Sequence, residues 1–377
     1  MAVARVGSRR NANGLSIFLE LDWILMIATA ILVCSGLLAV YSSVSGGPTP
    51  ELFKKQLILT AVGIVPFVLF WRIPAVAFQR AAAVLYALNV LLLSFVLFAG
   101  HNAKGAQRWV EFGGFQFQPS ELTKILTVIT LAAFFHRRRD RMKEFSTFAL
   151  SFLHVAPILF LIFKQPHLGA TIVVFISWFT LCLIAGIPWR TLGIFVVVCA
   201  TLVGGTLLVG KSGWLHGYQA DRISAMFSND EQGDDYQVLR AEMAYGAGGV
   251  MGQGFLKGEI KRYVPEQQND FIFSVVGEEG GLVVCGMVLF AYAVLFSRIW
   301  LILIRTGDLF GRLCAAGVLA VLSFHTLINL AMNLQLAPVV GLWLPFMSYG
   351  GTAMWLCLGC VGLAQNVYRQ DAESVFN

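Results

Sequence analysis

Residues 265–281 read PEQQNDFIFSVVGEEGG, with Asp270 directly before an apolar run and Glu278 and Glu279 at its far end. Asp270, Ser274 and Glu278 are spaced four and four, so a helix beginning near Asp270 would carry them on one face. An Asp at a helix start is commonly an N-cap. That reading covers Asp270 and leaves Glu278, nearly two turns deeper among apolar residues, for a functional one.

A second group lies in HNAKGAQRWVEFGGFQFQPSELTK, residues 101–124. Lys104 and Arg108 are four apart with Glu111 as the only acid before Glu121. They read either as a solvated surface or as a receptor for phosphate or pyrophosphate, to which Arg offers a fork and Lys a point charge. Pro119, Ser120 and Glu121 form a helix start, since Pro lacks the donor that a first turn leaves idle and an acid suits the dipole there. Glu121 and Lys124, three apart, share a face. They form either an interfacial ion pair or a pair carried into the membrane towards a cavity or a partner.

Composition decides what positions these groups. Of 377 residues, 57% are hydrophobic and 13% charged, the mean hydropathy is +0.73, and soluble domains are about a quarter charged. The chain is an integral membrane protein. Apolar runs long enough to cross the hydrocarbon core as helices fall at 22–44, 55–73, 80–100, 119–136, 147–164, 169–187, 189–210, 280–304, 312–334 and 350–368. The fold class expected is therefore all-α with ten transmembrane helices, one domain over residues 1–377, and a large outer loop at 211–279 between helices 7 and 8. The first run is too long for a signal-peptide core and is read as a retained span, with residues 1–21 as a basic leader. Lys and Arg gather in one set of short loops, above all HRRRDRMK at 136–143. That set is the cytoplasmic one, which places both termini inside.

The net charge of +6 is accounted for by this inner-face excess and calls for no nucleic acid. All seven cysteines lie in apolar runs as small hydrophobes, and the CxxC of Cys357 and Cys360 reads as packing. The five glycines of YGAGGVMGQGF, residues 245–255, fit neither GxGxxG nor a Walker loop and read as tightly turned backbone. No HExxH or GxSxG occurs, and there is no dedicated metal motif.

Five ordered blocks, KGAQRW (104–109), FQPSELTK (117–124), KQPHLGA (164–170), PEQQNDFIFSVVGEEGGL (265–282) and PVVGLWLPFMSYGG (338–351), resemble the signatures of the SEDS family of cell-wall proteins, RodA, FtsW and SpoVE. The resemblance covers essentially the whole chain and is nearer to RodA. It implies a peptidoglycan glycosyltransferase of the bacterial cytoplasmic (inner) membrane. Such an enzyme polymerises the undecaprenyl-pyrophosphate-linked disaccharide lipid II at the outer face, beside a class B penicillin-binding protein transpeptidase and among membrane lipids. The family's essential Asp falls on Asp270, which then acts as general base on the acceptor 4-hydroxyl. Lys104, Arg108, Lys124 and, in the long loop, Arg222 match positions that could bind the pyrophosphate; Glu121 could hold Lys124. Gln118, Ser120, Gln165 and Glu278 stand as supports of these groups, with Glu279 as a cap of the eighth span. A Mg²⁺ ion at the pyrophosphate could be met by Asp270, Glu278 and the substrate.

The chain departs from the family at His167, where an acid is usual, at Gln268-Asn269 in place of His-Thr, at Arg240-Ala241 in place of Gln-Ser, and at Gln335-Leu336-Ala337-Pro338 in place of GLLP. Three other readings compete: a division polymerase of the FtsW type, a lipid II flippase, and a scaffold that only activates its penicillin-binding partner. Transporters show broken spans in corresponding halves, which this sequence does not.

Overall fold

The structure is a computed structural model and describes residues 20–375 apart from 46, 48, 100, 104–105, 113–114 and 209–233. A helix stands at each of the ten apolar runs: α1 (Trp23–Val44), α2 (Glu51–Val62) with α3 (Ile64–Arg72), α4 (Ala75–Ala99), α5 (Pro119–Arg137), α6 (Phe145–Lys164), α7 (Leu168–Ala185), α8 (Trp189–Leu208), α10 (Ile272–Arg305), α11 (Leu309–Asn333) and α12 (Gly351–Val375). Between α8 and α10 lies an additional helix, α9 (Asp234–Gly248). Among the described residues seven helices, counting α2 and α3 as one, are long and apolar enough to cross a bilayer. The chain is thus a multi-span membrane protein. α5 falls outside that group because it carries Ser120, Glu121, Thr123, Lys124, Thr127 and Thr130, all buried.

Two expectations need correction. The chain is mostly helical and not all-α, because β1 (His101–Ala103), β2 (Ala106–Phe112) and β3 (Phe115–Phe117) form a three-stranded antiparallel sheet in chain order. Val110 stands opposite Phe117 and Glu111 opposite Gln116, so the alternation in RWVEF and FQF is the period of two that strands show. The second correction concerns α10. It begins at Ile272, eight residues before the expected 280, so the loop expected to run to 279 ends at 271 and Glu278 and Glu279 lie within a helix.

The break in that helix comes at Gly281, with φ 63° and ψ −167°, a combination that essentially only glycine adopts. A broken helix at membrane depth leaves carbonyls and N–H groups without partners, and the glycine-rich turn supplies them. Gln253 and Gly254 donate to the carbonyls of Glu278 and Glu279, at 2.9 and 3.0 Å, while Leu282 and Val283 donate to those of Gly249 and Val250, at 2.9 and 3.2 Å. The approach needs bare backbone: a Cβ on Gly248 would strike the Gly277 carbonyl, and one on Gly252 that of Glu279.

A second irregular stretch, 334–350, runs through the bundle with Leu342, Leu344, Phe346 and Met347 buried. Its backbone is satisfied by side chains, as non-helical chain in a membrane interior must be. Asn329 donates to the Leu342 carbonyl at 2.7 Å, the Leu344 N–H donates to Ser348 Oγ at 2.7 Å, and the Tyr292 hydroxyl donates to the Pro345 carbonyl. Gly36 of α1 lies against this stretch, where a Cβ would strike Phe346 and Met347 backbone.

Candidate active site

Asp270 occupies the turn before α10 and is half-buried. The N-cap of α10 is Phe271, which is fully buried and makes no side-chain cap, so the capping account of Asp270 falls away. Three successive carbonyls around it are held by other elements. Gln268 accepts from the Tyr349 N–H at 2.8 Å, Asn269 from the Ser348 hydroxyl at 2.6 Å, and Asp270 from the amides of Asn329 and Asn333 at 2.8 and 3.0 Å. The Tyr245 hydroxyl donates to Asn333 Oδ1 at 3.1 Å, which fixes that amide with its nitrogen towards Asp270. Burial raises the Tyr245 pKa well above its usual value of 10.0, so it remains a donor. At about 1 kcal/mol for each such bond, the turn is fixed through its main chain.

The two glutamates have separate tasks. Glu278, fully buried, accepts from the N–H groups of Ile260 and Lys261 at 2.7 Å each. It holds the 3₁₀ turn Ile260–Tyr263 against α10, and Gly258 leaves room for its carboxylate. Glu279 caps no helix, contrary to expectation: it accepts from Ser42 Oγ of α1 at 2.6 Å and pairs with the buried Lys261 ammonium, which also donates to the Ser42 carbonyl at 3.1 Å.

Glu121 and Lys124 are both 1% exposed, so the pair lies within the bundle. Lys124 Nζ stands 2.8 Å from each oxygen of Glu121 and 3.0 Å from Nε2 of His325 on α11. An ammonium has three protons, and these three acceptors match them. Trp343 covers the site, stacked on His325 with ring centroids 4.0 Å apart and 5.1 Å from Nζ.

Arg108, on β2, donates from Nε to the Gln165 carbonyl at 3.0 Å and from Nη2 to the Pro166 carbonyl, which fastens the sheet to the turn before α7. Gln165 donates to the Leu93 carbonyl at 3.0 Å. His167 ends the same turn with Nδ1 at 3.4 Å from Gln118 Nε2 and 3.3 Å from Ser120 Oγ, and the Gln118 N–H donates to Thr352 at 3.2 Å. This joins the start of α5 to those of α7 and α12. Lys104 and Arg222 lie outside the described residues. Of the departures, Ala241 packs in a small cluster with Val238, Val264 and Phe271, Arg240 lies over Tyr236 at 5.0 Å, and Gln335 donates to Glu242 at 3.1 Å.

Among the described residues no three His, Cys, Asp or Glu side chains gather to hold a metal ion. Of the two carboxylates expected near a pyrophosphate-bound Mg²⁺, Asp270 and Glu278, the latter is engaged by the backbone N–H groups of Ile260 and Lys261.

His325, Asn329 and Asn333 escaped the sequence reading. Their spacing of four and four was the available signal, because it draws one polar face along an otherwise apolar span.

A multi-span helical bundle with a carboxylate on a turn fixed by main-chain hydrogen bonds, together with a buried ion pair, defines a membrane-embedded enzyme scaffold. The "cell cycle protein" family FTSW_RODA_SPOVE matches residues 18–373. The peptidoglycan glycosyltransferase MrdB of Escherichia coli (strain K12) is 32% identical over 351 residues, 91% of this chain and 92% of the relative. A protein of Trichlorobacter lovleyi, named as a probable peptidoglycan glycosyltransferase FtsW, is 33% identical over 361 residues, 92% and 93% of the two chains. A chain from a structure described as the coordination of polymerization and crosslinking by a peptidoglycan synthase complex superposes with TM-score 0.80 at 28% identity, over 93% of this chain and 98% of that one. The Thermus thermophilus rod shape determining protein RodA gives 0.70 at 27%, over 94% and 98%. The chain belongs to the FtsW, RodA and SpoVE family, the SEDS family of peptidoglycan glycosyltransferases.

Proposed function

We propose that the chain polymerises lipid II into glycan strands at the outer face of the bacterial cytoplasmic membrane, with Asp270 as general base. The observation that carries this reading is the fixed turn at 268–270, whose main chain is held from α11 and from residues 348–349. Catalytic groups need such support, since a displacement of about 1 Å can cost a hundredfold in rate.

The carboxylate takes the proton of the acceptor 4-hydroxyl while that oxygen attacks the anomeric carbon of the donor. The bond from that carbon to the pyrophosphate oxygen breaks, and undecaprenyl pyrophosphate leaves with the electron pair. Lys104, Arg108 and Arg222 are the cations of the outer segments that meet its charge. Lys124 acts from inside the bundle, paired with Glu121. Membrane lipids surround ten spans with both termini inside, in keeping with the Lys and Arg bias. A class B penicillin-binding protein crosslinks the product, a reading supported by the peptidoglycan synthase complex among the structural relatives. The PVVG and LPFMSYGG blocks favour a role in elongation; depletion that rounds cells supports this, and depletion that yields filaments assigns division instead.

The test supplies labelled lipid II to the protein purified with its partner. Asp270→Asn is expected to lower polymerisation by about a hundredfold or more, the usual worth of a general base, with lipid II still bound. Unchanged polymerisation would remove Asp270 from the chemistry, and translocation of lipid without polymer by the wild type would make the protein a flippase.

A further inference from the structure

We infer that His325 is a positioning residue for the reaction: its imidazole joins the Glu121–Lys124 pair to the main chain that holds Asp270, and turnover depends on that joint. This rests on the reading of Asp270 as the base.

The ring is fully buried and its two nitrogens face opposite groups. Nε2 lies 3.0 Å from the Lys124 ammonium, which can only donate, so Nε2 is the acceptor and Nδ1 carries the proton. Nδ1 faces the Trp343 carbonyl at 3.4 Å. A ring protonated on both nitrogens would set a second cation against Lys124. Without the ring, the third ammonium proton loses its acceptor in a place that water does not reach.

From His325 two short routes reach Asp270. Along α11, one and two turns on, Asn329 and Asn333 donate to the Asp270 carbonyl, and Asn329 also holds the Leu342 carbonyl. Along the irregular stretch, Trp343 is followed by Leu344, whose N–H binds the Ser348 hydroxyl that in turn donates to the Asn269 carbonyl. A shift of the ion pair is therefore passed to both sides of the turn that carries Asp270. No reacting atom need touch His325 for this.

The experiment measures polymerisation by the purified complex of the full chain and its partner over a range of labelled lipid II concentrations. His325→Phe keeps the stacking on Trp343 but offers Lys124 no acceptor. It is expected to lower kcat by about ten- to a hundredfold, as a misplaced catalytic group does, with KM unchanged within about twofold, as expected when ground-state binding is untouched. His325→Gln can accept from Lys124 and donate to Trp343, and is expected to keep kcat within about threefold of the wild type. His325→Asn retains the amide but falls one bond short and should resemble Phe. Wild-type kcat in the Phe variant overturns the inference, as does a loss in Gln equal to that in Phe. Should His325→Phe not accumulate, the amide pair decides: equal kcat in Gln and Asn overturns it. Asp270→Asn is run alongside. Full activity in that variant removes both readings, whereas an inactive Asp270→Asn beside a fully active His325→Phe removes only this one.

Discussion

Among the described residues two lysine–glutamate pairs are buried, and their surroundings differ. Glu121 and Lys124 come from one turn of α5, so folding that helix brings them together, and a histidine from α11 completes the set. Lys261 and Glu279 come from the segment between α9 and α10 and from α10 itself, and they meet at Ser42 of α1. The first pair costs little chain order to assemble and can serve as a fixed charge distribution inside the bundle. The second closes long stretches of chain, and its value lies in that closure. A buried ion pair is weak evidence of stability in itself; what decides its role is the third partner.

The largest effect expected from breaking this contrast is that of Lys124→Met. It strands the Glu121 carboxylate, at a cost of about 3–5 kcal/mol, read as a lower unfolding midpoint in lipid nanodiscs together with lost polymerisation. Adding Glu121→Gln should restore most of the midpoint and little of the activity. Recovery of both would show that the first pair, too, is only a fastening.

Lys261→Met should cost less, because Glu279 keeps the Ser42 hydroxyl as a donor once the lysine is gone. Its principal sign would be faster proteolysis between residues 249 and 270, with activity reduced in proportion to the loosened loop. Loss of catalysis as complete as in Lys124→Met would erase the distinction.

Gly281→Ala tests what the second pair stands beside. The left-handed backbone there and the contact with Gly252 predict a loss of about 1–3 kcal/mol, measured by the same unfolding assay.

The smallest effect belongs to Tyr245→Phe, about 1 kcal/mol for one hydrogen bond. Its pH dependence is distinctive. The folded state raises the Tyr245 pKa above 10.0, so the native protein holds a proton that the unfolded chain releases, and stability falls as pH climbs past about 10. The Phe variant should show a weaker alkaline decline.

Much of the fold was legible in the sequence, because each apolar run must become a helix in lipid. Where expectation failed, the deciding partner lay far along the chain. Glu278 and Glu279 look too polar to begin a span, yet their carboxylates are satisfied by residues 260, 261 and 42, so the helix starts before them. The strands of residues 101–117 showed their alternation, but so short a sheet carries little local signal. Asp270 and the Glu121–Lys124 pair stood out as ionisable groups in apolar sequence. His325 did not: its spacing of four and four with Asn329 and Asn333 marks a polar face, but the purpose of that face comes from Lys124, 201 residues away in sequence.

The turn at 268–270 is gripped by its carbonyls, and every residue type has a carbonyl. Side chains at positions 268 and 269 can therefore be exchanged by evolution without moving Asp270. On the proposal that Asp270 is the base, Gln268 and Asn269 are positions where contacts to the substrate can be retuned while the main-chain frame that carries the carboxylate stays the same.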